Sequence, residues 1–200
     1  MKYVTLLLLP IVLAACAAPT LTTTPPPSIA EPATFAPDPT PTAELPTEAN
    51  MPLQLTSDAF TNGQSIPAKY SCQGRNISPA LAWNAPPAGT QSLALIVDDP
   101  DAPGGTWTHW VLFNLPPDLR ALPEEYAAPG DSAILTGKNS SGFNRYEGPC
   151  PPSGTHRYYF RLYALDTTLS LAPGITKEQL LEAMDGHILA QAELMGTFSQ

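Results

Sequence analysis

Three segments of the chain carry the hydrophobic pattern of a β-strand. Ser92 to Asp98 is a continuous apolar run of strand length, as expected of a central strand covered on both faces. Trp107 to Leu115 is rich in aromatic and branched residues, and its alternation places Trp107, His109, Val111 and Phe113 on one face. His156 to Leu165 alternates more plainly. His156, Tyr158, Phe160, Leu162 and Ala164 point one way, and Arg157, Tyr159, Arg161 and Tyr163 the other. Shorter strands are predicted at Leu53–Thr56, Ala80–Trp83, Ala133–Gly137 and Gln191–Phe198. One helix is predicted. Thr176 and Gln179 form a capping box, followed by Leu180, Leu181, Met184 and Ile188 at helical spacing, with Gly186 as the expected break or kink. Many strands and one late helix give a mainly β fold: a two-sheet antiparallel β-sandwich with a short C-terminal helical segment.

The first 52 residues follow neither period. Lys2 gives a positive start, Tyr3 to Leu13 form an apolar run, and Leu13-Ala14-Ala15-Cys16 closes it with small residues before a cysteine. That order is the layout of a secretory signal over residues 1–15. The run is shorter than the roughly 20 apolar residues that span a bilayer. Its end resembles the bacterial lipobox, which implies a lipid on Cys16 and a chain exported and held at a membrane, with its domain on the extracytoplasmic side. From Ala17 to Pro52 there are ten prolines, many threonines, four acids and no Lys or Arg. Such a segment buries too little apolar surface to offset its ordering entropy, so residues 16–52 are predicted to be a disordered, proline- and threonine-rich stalk. Residues 53–200 then make one domain.

Composition narrows what that domain does. It carries eight Lys and Arg against 14 Asp and Glu, with no basic stripe, which excludes nucleic acid as a partner. Any anion must be held by a local pocket against the overall field. Beyond Cys16 the only cysteines are Cys72 and Cys150. In an oxidising compartment an even pair points to a disulfide, and two separate buried thiols are the alternative. No G-x-S-x-G, H-E-x-x-H, C-x-x-C, P-loop or G-x-G-x-x-G motif is present, so no catalytic nucleophile, cofactor or dedicated metal site is expected.

Polar groups gather instead at predicted strand ends beside rigid turns. Asp98-Asp99-Pro100-Asp101-Ala102-Pro103 sets three carboxylates in four positions, which cannot all be buried without partners. Gly105-Thr106-Trp107-Thr108-His109-Trp110 puts an imidazole among large aromatics. Gly148-Pro149-Cys150-Pro151-Pro152-Ser153-Gly154-Thr155-His156-Arg157-Tyr158 delivers His156 and Tyr158 onto one face.

These three blocks, in this order and spacing, resemble the signature segments of the phosphatidylethanolamine-binding protein family, in its bacterial Raf kinase inhibitor-like branch. Cys72-Gln73-Gly74 with Ser78-Pro79, Gly186-His187 and Leu194-Met195-Gly196-Thr197 agree as well. The resemblance spans almost all of residues 53–200. It implies a two-sheet β fold with a small pocket for phosphate-like or carboxylate anions. By position the pocket residues are Asp99, His109, His156 and Tyr158, with Pro152 and Gly154 shaping the rim. Imidazole N–H and phenol O–H groups suit an anion in a partly dry site, and Asp99 would orient a histidine and favour its charged form.

The expected function is therefore non-catalytic binding of a small anion, such as a phospholipid headgroup, by a membrane-anchored protein. Affinity should rise as pH falls through about 6–7, where histidines protonate. A second reading is inhibition or regulation of a protein partner through the same pocket. A third is metal-assisted hydrolysis at His109, His156 and one of Asp99 or Asp101.

Overall fold

The structure, a computed structural model, describes residues 51–200. The expected signal segment, Cys16 and nearly all of the stalk lie outside the described residues. The architecture is the expected one, two antiparallel sheets and one short helix. In chain order the elements are β1 (Leu55–Thr56), a 3₁₀ turn (Ala68–Tyr70), β2 (Leu81–Trp83), β3 (Ser92–Asp99), β4 (Trp107–Leu115), β5 (Ala121–Leu122), β6 (Leu135–Thr136), β7 (Thr155–Leu165), α1 (Lys177–Met184) and β8 (Ile188–Ser199). A three-stranded sheet runs β1-β2-β5 and a five-stranded sheet β6-β4-β3-β7-β8.

β3 sits at the centre of the larger sheet, and all eight of its residues are buried. Leu93, Leu95 and Val97 join the core that also holds Leu55, Leu81, Trp83 and Leu122 of the smaller sheet. Ala94 and Ile96 face the other way, into a second cluster closed by Leu180 and Met184 of α1. A strand covered on both faces has no polar side to show, hence the unbroken apolar run. β7 alternates as its pattern requires, with Tyr158, Phe160, Leu162 and Ala164 in the first core and Tyr163 in the second.

Helix α1 covers the second cluster. Thr176 caps it, and the capping box with Gln179 is formed in both directions. Replacing the fully buried Leu180 by alanine should empty the space between α1 and the sheet. The expected cost is about 3 kcal/mol. Urea unfolding measures it.

Three expectations need correction. The helix ends at Met184, Gly186 takes φ 76°, and Ile188 opens β8, so Ile188 lies outside the helix. The predicted strand at Ala133–Gly137 shrinks to two residues, because β6 pairs only with Leu112 and Phe113 at the sheet edge. The third concerns β4, where strict alternation would put His109 on the face of Val111. Trp110 pairs with Val97 and Thr108 with Asp98, so His109 is the extra residue of a β-bulge. The bulge turns its ring toward Tyr158, 5.2 Å away between centroids, on the side of the first core.

Glycine is required at Gly196 on β8. A Cβ there would stand 2.5 Å from Ile66 Cγ1 and 2.8 Å from Phe60 Cε2, so the segment before β2 packs directly on the strand.

Candidate ligand-binding site

The antiparallel register brings the three polar segments to one end of the larger sheet. β3 finishes where both its neighbours begin: Asp99 pairs with Trp107 of β4, and Asp98 with Tyr159 of β7. Around this end lies a cavity of about 250 Å³, walled by Asp99, Ala102, Pro103, Trp107, His109, Glu147, Gly148, Cys150, Pro151, Pro152 and His156. Of the six residues expected at the site, Asp99, His109, Pro152 and His156 thus meet on its wall. Tyr158 stands behind the wall, packed edge-on against His109. Gly154 is not on the wall. It takes φ 72° in the turn just before β7, with open space around it, and its part is conformational.

Two hydrogen-bonded pairs set the geometry. His156 Nδ1 lies 2.7 Å from Asp99 Oδ2, and the Asp101 amide donates to Asp99 Oδ1 at 2.8 Å. Both side chains are nearly buried, at 8% and 4% exposure. His109 Nδ1 lies 2.7 Å from the Glu147 carbonyl. A carbonyl only accepts, so Nδ1 carries the hydrogen and the neutral ring keeps its lone pair at Nε2. That Nε2 is buried and makes no hydrogen bond among the described residues. Burial pushes the His109 pKa down, outweighing the opposing pull of the Glu147 carbonyl and of the Asp99, Glu147 and Asp98 charges. The ring is therefore neutral at pH 7.

The Tyr158 hydroxyl is another buried polar group without a hydrogen bond among the described residues. Burial holds its phenol well above the usual range. The Asp99 carboxylate adds to this, and the nearby Cys150 backbone amide pulls the other way.

The three clustered carboxylates each find a different partner. Asp98 faces away from the cavity, toward Lys177 Nζ at 3.3 Å, Arg161 at 3.5 Å and the Thr108 hydroxyl at 3.1 Å. Asp99 holds His156. Asp101 is gripped by Arg157 through Nε at 2.9 Å and Nη2 at 2.7 Å, and these bonds lower its pKa to about 2. Among the described residues no Lys or Arg lines the cavity, so the polar chemistry of its wall is that of histidine and carboxyl, with the Tyr158 phenol behind it. Among the described residues no three His, Cys, Asp or Glu side chains are placed to hold a metal ion. Of the two carboxylates considered from sequence as a third metal ligand, Asp101 is turned onto Arg157 and Asp99 is hydrogen-bonded to His156 Nδ1.

The rim comes from the loop before β7. Cys72 and Cys150 are joined in a disulfide, with Cα atoms 5.4 Å apart, which decides between the two sequence readings. Gly148 lies so close to the Cys72 turn that a Cβ would sit 2.1 Å from the Tyr70 carbonyl oxygen. Asn76, whose Asn-Ile-Ser context matches a glycosylation pattern, accepts the Gly148 amide at 2.7 Å and serves the rim. Seven wall residues lie outside the six expected, and two of them add something new. Trp107 forms part of the wall although it is 40% exposed, and Glu147 acts through its backbone carbonyl, which no side-chain pattern reports.

Residues 56–199 match the protein family described as phosphatidylethanolamine-binding protein. A UPF0098 protein of Methanothermobacter thermautotrophicus is 53% identical over 148 residues, covering 73% of this chain and 98% of that protein. A crystal structure from Chlamydia trachomatis, described as a candidate phosphatidylethanolamine-binding protein homolog, is 51% identical. It superposes with a TM-score of 0.70 over 74% of this chain and 98% of its own. Escherichia coli YbcL, described as a new member of the mammalian family, is 29% identical with a TM-score of 0.70. It covers 75% of this chain and 99% of its own.

Proposed function

The chain belongs to the phosphatidylethanolamine-binding protein family, and from that premise we propose that it is a membrane-anchored, non-catalytic binding protein whose pocket takes a small phosphate-like or carboxylate anion. The observation that carries the reading is the pair of buried, unpartnered polar groups, His109 Nε2 and the Tyr158 hydroxyl, beside a preformed cavity. Leaving such a group unpaired costs about 1–3 kcal/mol, a cost that a ligand oxygen would remove. An oxyanion accepts from the Tyr158 hydroxyl, and it accepts from His109 once Nε2 is protonated. Binding is then coupled to proton uptake. The free ring has a lowered pKa and the bound anion raises it. Affinity is full below the free-protein value and is lost as pH rises through the raised value of the complex.

The relatives just described are almost wholly covered by this domain, which supports working with residues 53–200 alone. Calorimetric titration with acetate, which stays ionised from pH 6 to pH 8, should show tighter binding at pH 6. The gain is at most about tenfold per pH unit, the limit for one linked proton. Tyr158→Phe should weaken binding by roughly tenfold at either pH. Equal acetate affinity at pH 6 and pH 8 would remove the proton-coupled part of the reading.

The anchor follows from the sequence. A lipid on Cys16 would tether the domain through its stalk, on the extracytoplasmic side, within reach of phospholipid headgroups. Stable anchoring needs more than one acyl chain. Cys16→Ser should therefore move the protein from the membrane fraction to the soluble fraction, and retention of the variant in membranes would argue against lipidation. The exposed Trp107 at the cavity favours one further reading, in which an acidic or phosphorylated group of a protein partner enters the same pocket.

A further inference from the structure

The wall of the pocket hangs partly on a covalent tie. Up to Pro149 the loop before β7 is fixed by ordinary contacts. Tyr146 donates to the Tyr70 carbonyl at 3.0 Å, Gly148 donates to Asn76 at 2.7 Å, and the Cys72 amide donates to the Pro149 carbonyl at 3.0 Å. Beyond it, from Cys150 to Gly154, no backbone hydrogen bond of good geometry is made among the described residues, and the ladder resumes where Thr155 meets Ser199. Cys150, Pro151 and Pro152 all stand on the cavity wall within this stretch. Pro151 is buried against the domain, and the covalent tie of the stretch is the bond from Cys150 to Cys72.

We propose that the Cys72–Cys150 disulfide is a positioning clasp for the ligand pocket, and that its reduction by a dithiol releases ligand without unfolding the domain. The proposal rests on the anion-binding reading of this site. Both cysteines are exposed, so a reductant reaches the bond. A thiolate of the dithiol attacks one sulfur, and its second thiol resolves the mixed disulfide. The protein S–S bond breaks, Cys72 and Cys150 each end as S–H, and the dithiol, having given two electrons and two protons, closes to its own disulfide. Freed of the clasp, Cys150 no longer holds its amide near Tyr158, and the two prolines lose their fixed distance from Trp107 and His156. A pocket that must be reassembled before it binds has lost its preorganisation. The core has no such dependence, since Tyr70 and Tyr146 are packed into it on either side of the bond.

The test uses the full chain in detergent, with inorganic phosphate as the probe. It compares the oxidised protein, the dithiol-reduced protein, Cys72→Ala/Cys150→Ala, and Leu180→Ala as a destabilised control whose change lies on the opposite face of the sheet. Reduction and the cysteine double variant should each weaken phosphate binding by about tenfold or more, while unfolding stays cooperative and Leu180→Ala keeps its affinity. Phosphate affinity within about twofold of the oxidised protein in the double variant would overturn the clasp. So would an equal loss in Leu180→Ala, which would trace the effect to stability alone.

A second readout needs no ligand. Trp107 is 40% exposed on the wall, whereas Trp83 and Trp110 are 5% and 2% exposed, so iodide quenching of tryptophan fluorescence reports the pocket. Quenching should change on reduction in the wild type and stay unchanged in Trp107→Phe. If the oxidised protein fails to bind phosphate, the anion reading fails, and quenching alone judges the clasp. A quenching curve indifferent to reduction overturns it.

Discussion

His156→Ala should abolish measurable phosphate binding and destabilise the domain by about 3 kcal/mol. The two effects have one origin. The imidazole and the Asp99 carboxyl are 2.7 Å apart and almost wholly buried, so alanine leaves a buried carboxyl that has lost its imidazole partner and keeps the Asp101 amide. It also removes the ring from the cavity wall. Asp99→Asn in the same chain should recover part of the stability, because the neutral amide is less costly to bury, and should not recover binding. The chain holds its own control. His187 and Asp166 make a pair of the same length, also 2.7 Å, but at 47% and 45% exposure. His187→Ala should change stability by no more than about 0.5 kcal/mol and leave phosphate affinity untouched. Urea unfolding and calorimetry on the three variants separate these outcomes. Equal stability losses for the two histidines would mean that burial of the His156–Asp99 pair contributes nothing.

The second large effect is on the unfolded state. The disulfide joins residues 78 apart in sequence. In the chain-entropy account, closing a loop of that length stabilises the fold by about 4 kcal/mol. Cys72→Ala/Cys150→Ala should lower the unfolding free energy by about that amount and steepen its urea dependence, because the unlinked chain exposes more surface when it unfolds. A loss under about 1 kcal/mol would point to a denatured state that is already compact around the linked segments.

The sequence carried the larger sheet well. β3 read as covered on both faces because it is, and β7 alternated because one of its faces meets the first core while the other is half open. The three polar blocks were legible for the same reason. Each lies where an antiparallel strand enters or leaves the sheet, and neighbouring antiparallel strands bring such ends together. What escaped was non-periodic. The bulge at His109 adds one residue to β4, and a period-2 reading then assigns that ring to the wrong face. The two-residue strand β5 is too short to show a period at all, and β6 was placed but read as longer than it is. Within the site, Pro152 and the two histidines came from recognisable segments. The Glu147 carbonyl that fixes the His109 tautomer is backbone, equally available at every residue, so only the fold selects it. The division of Asp98, Asp99 and Asp101 among Lys177, His156 and Arg157 is likewise tertiary. Their crowding announced a need for partners without naming them.

In the proposed binding mode an anion enters beside His109 and Tyr158 and draws a proton onto the histidine. The chain has three histidines, so their ring signals are readily assigned by magnetic resonance. The measurement is the pH titration of those signals in the 53–200 domain, with and without phosphate. The His109 ring should stay neutral at pH 7 in the free protein and titrate at a higher pH once phosphate is bound, while phosphate leaves the His187 signal unmoved. A His109 titration that phosphate leaves unmoved would contradict it.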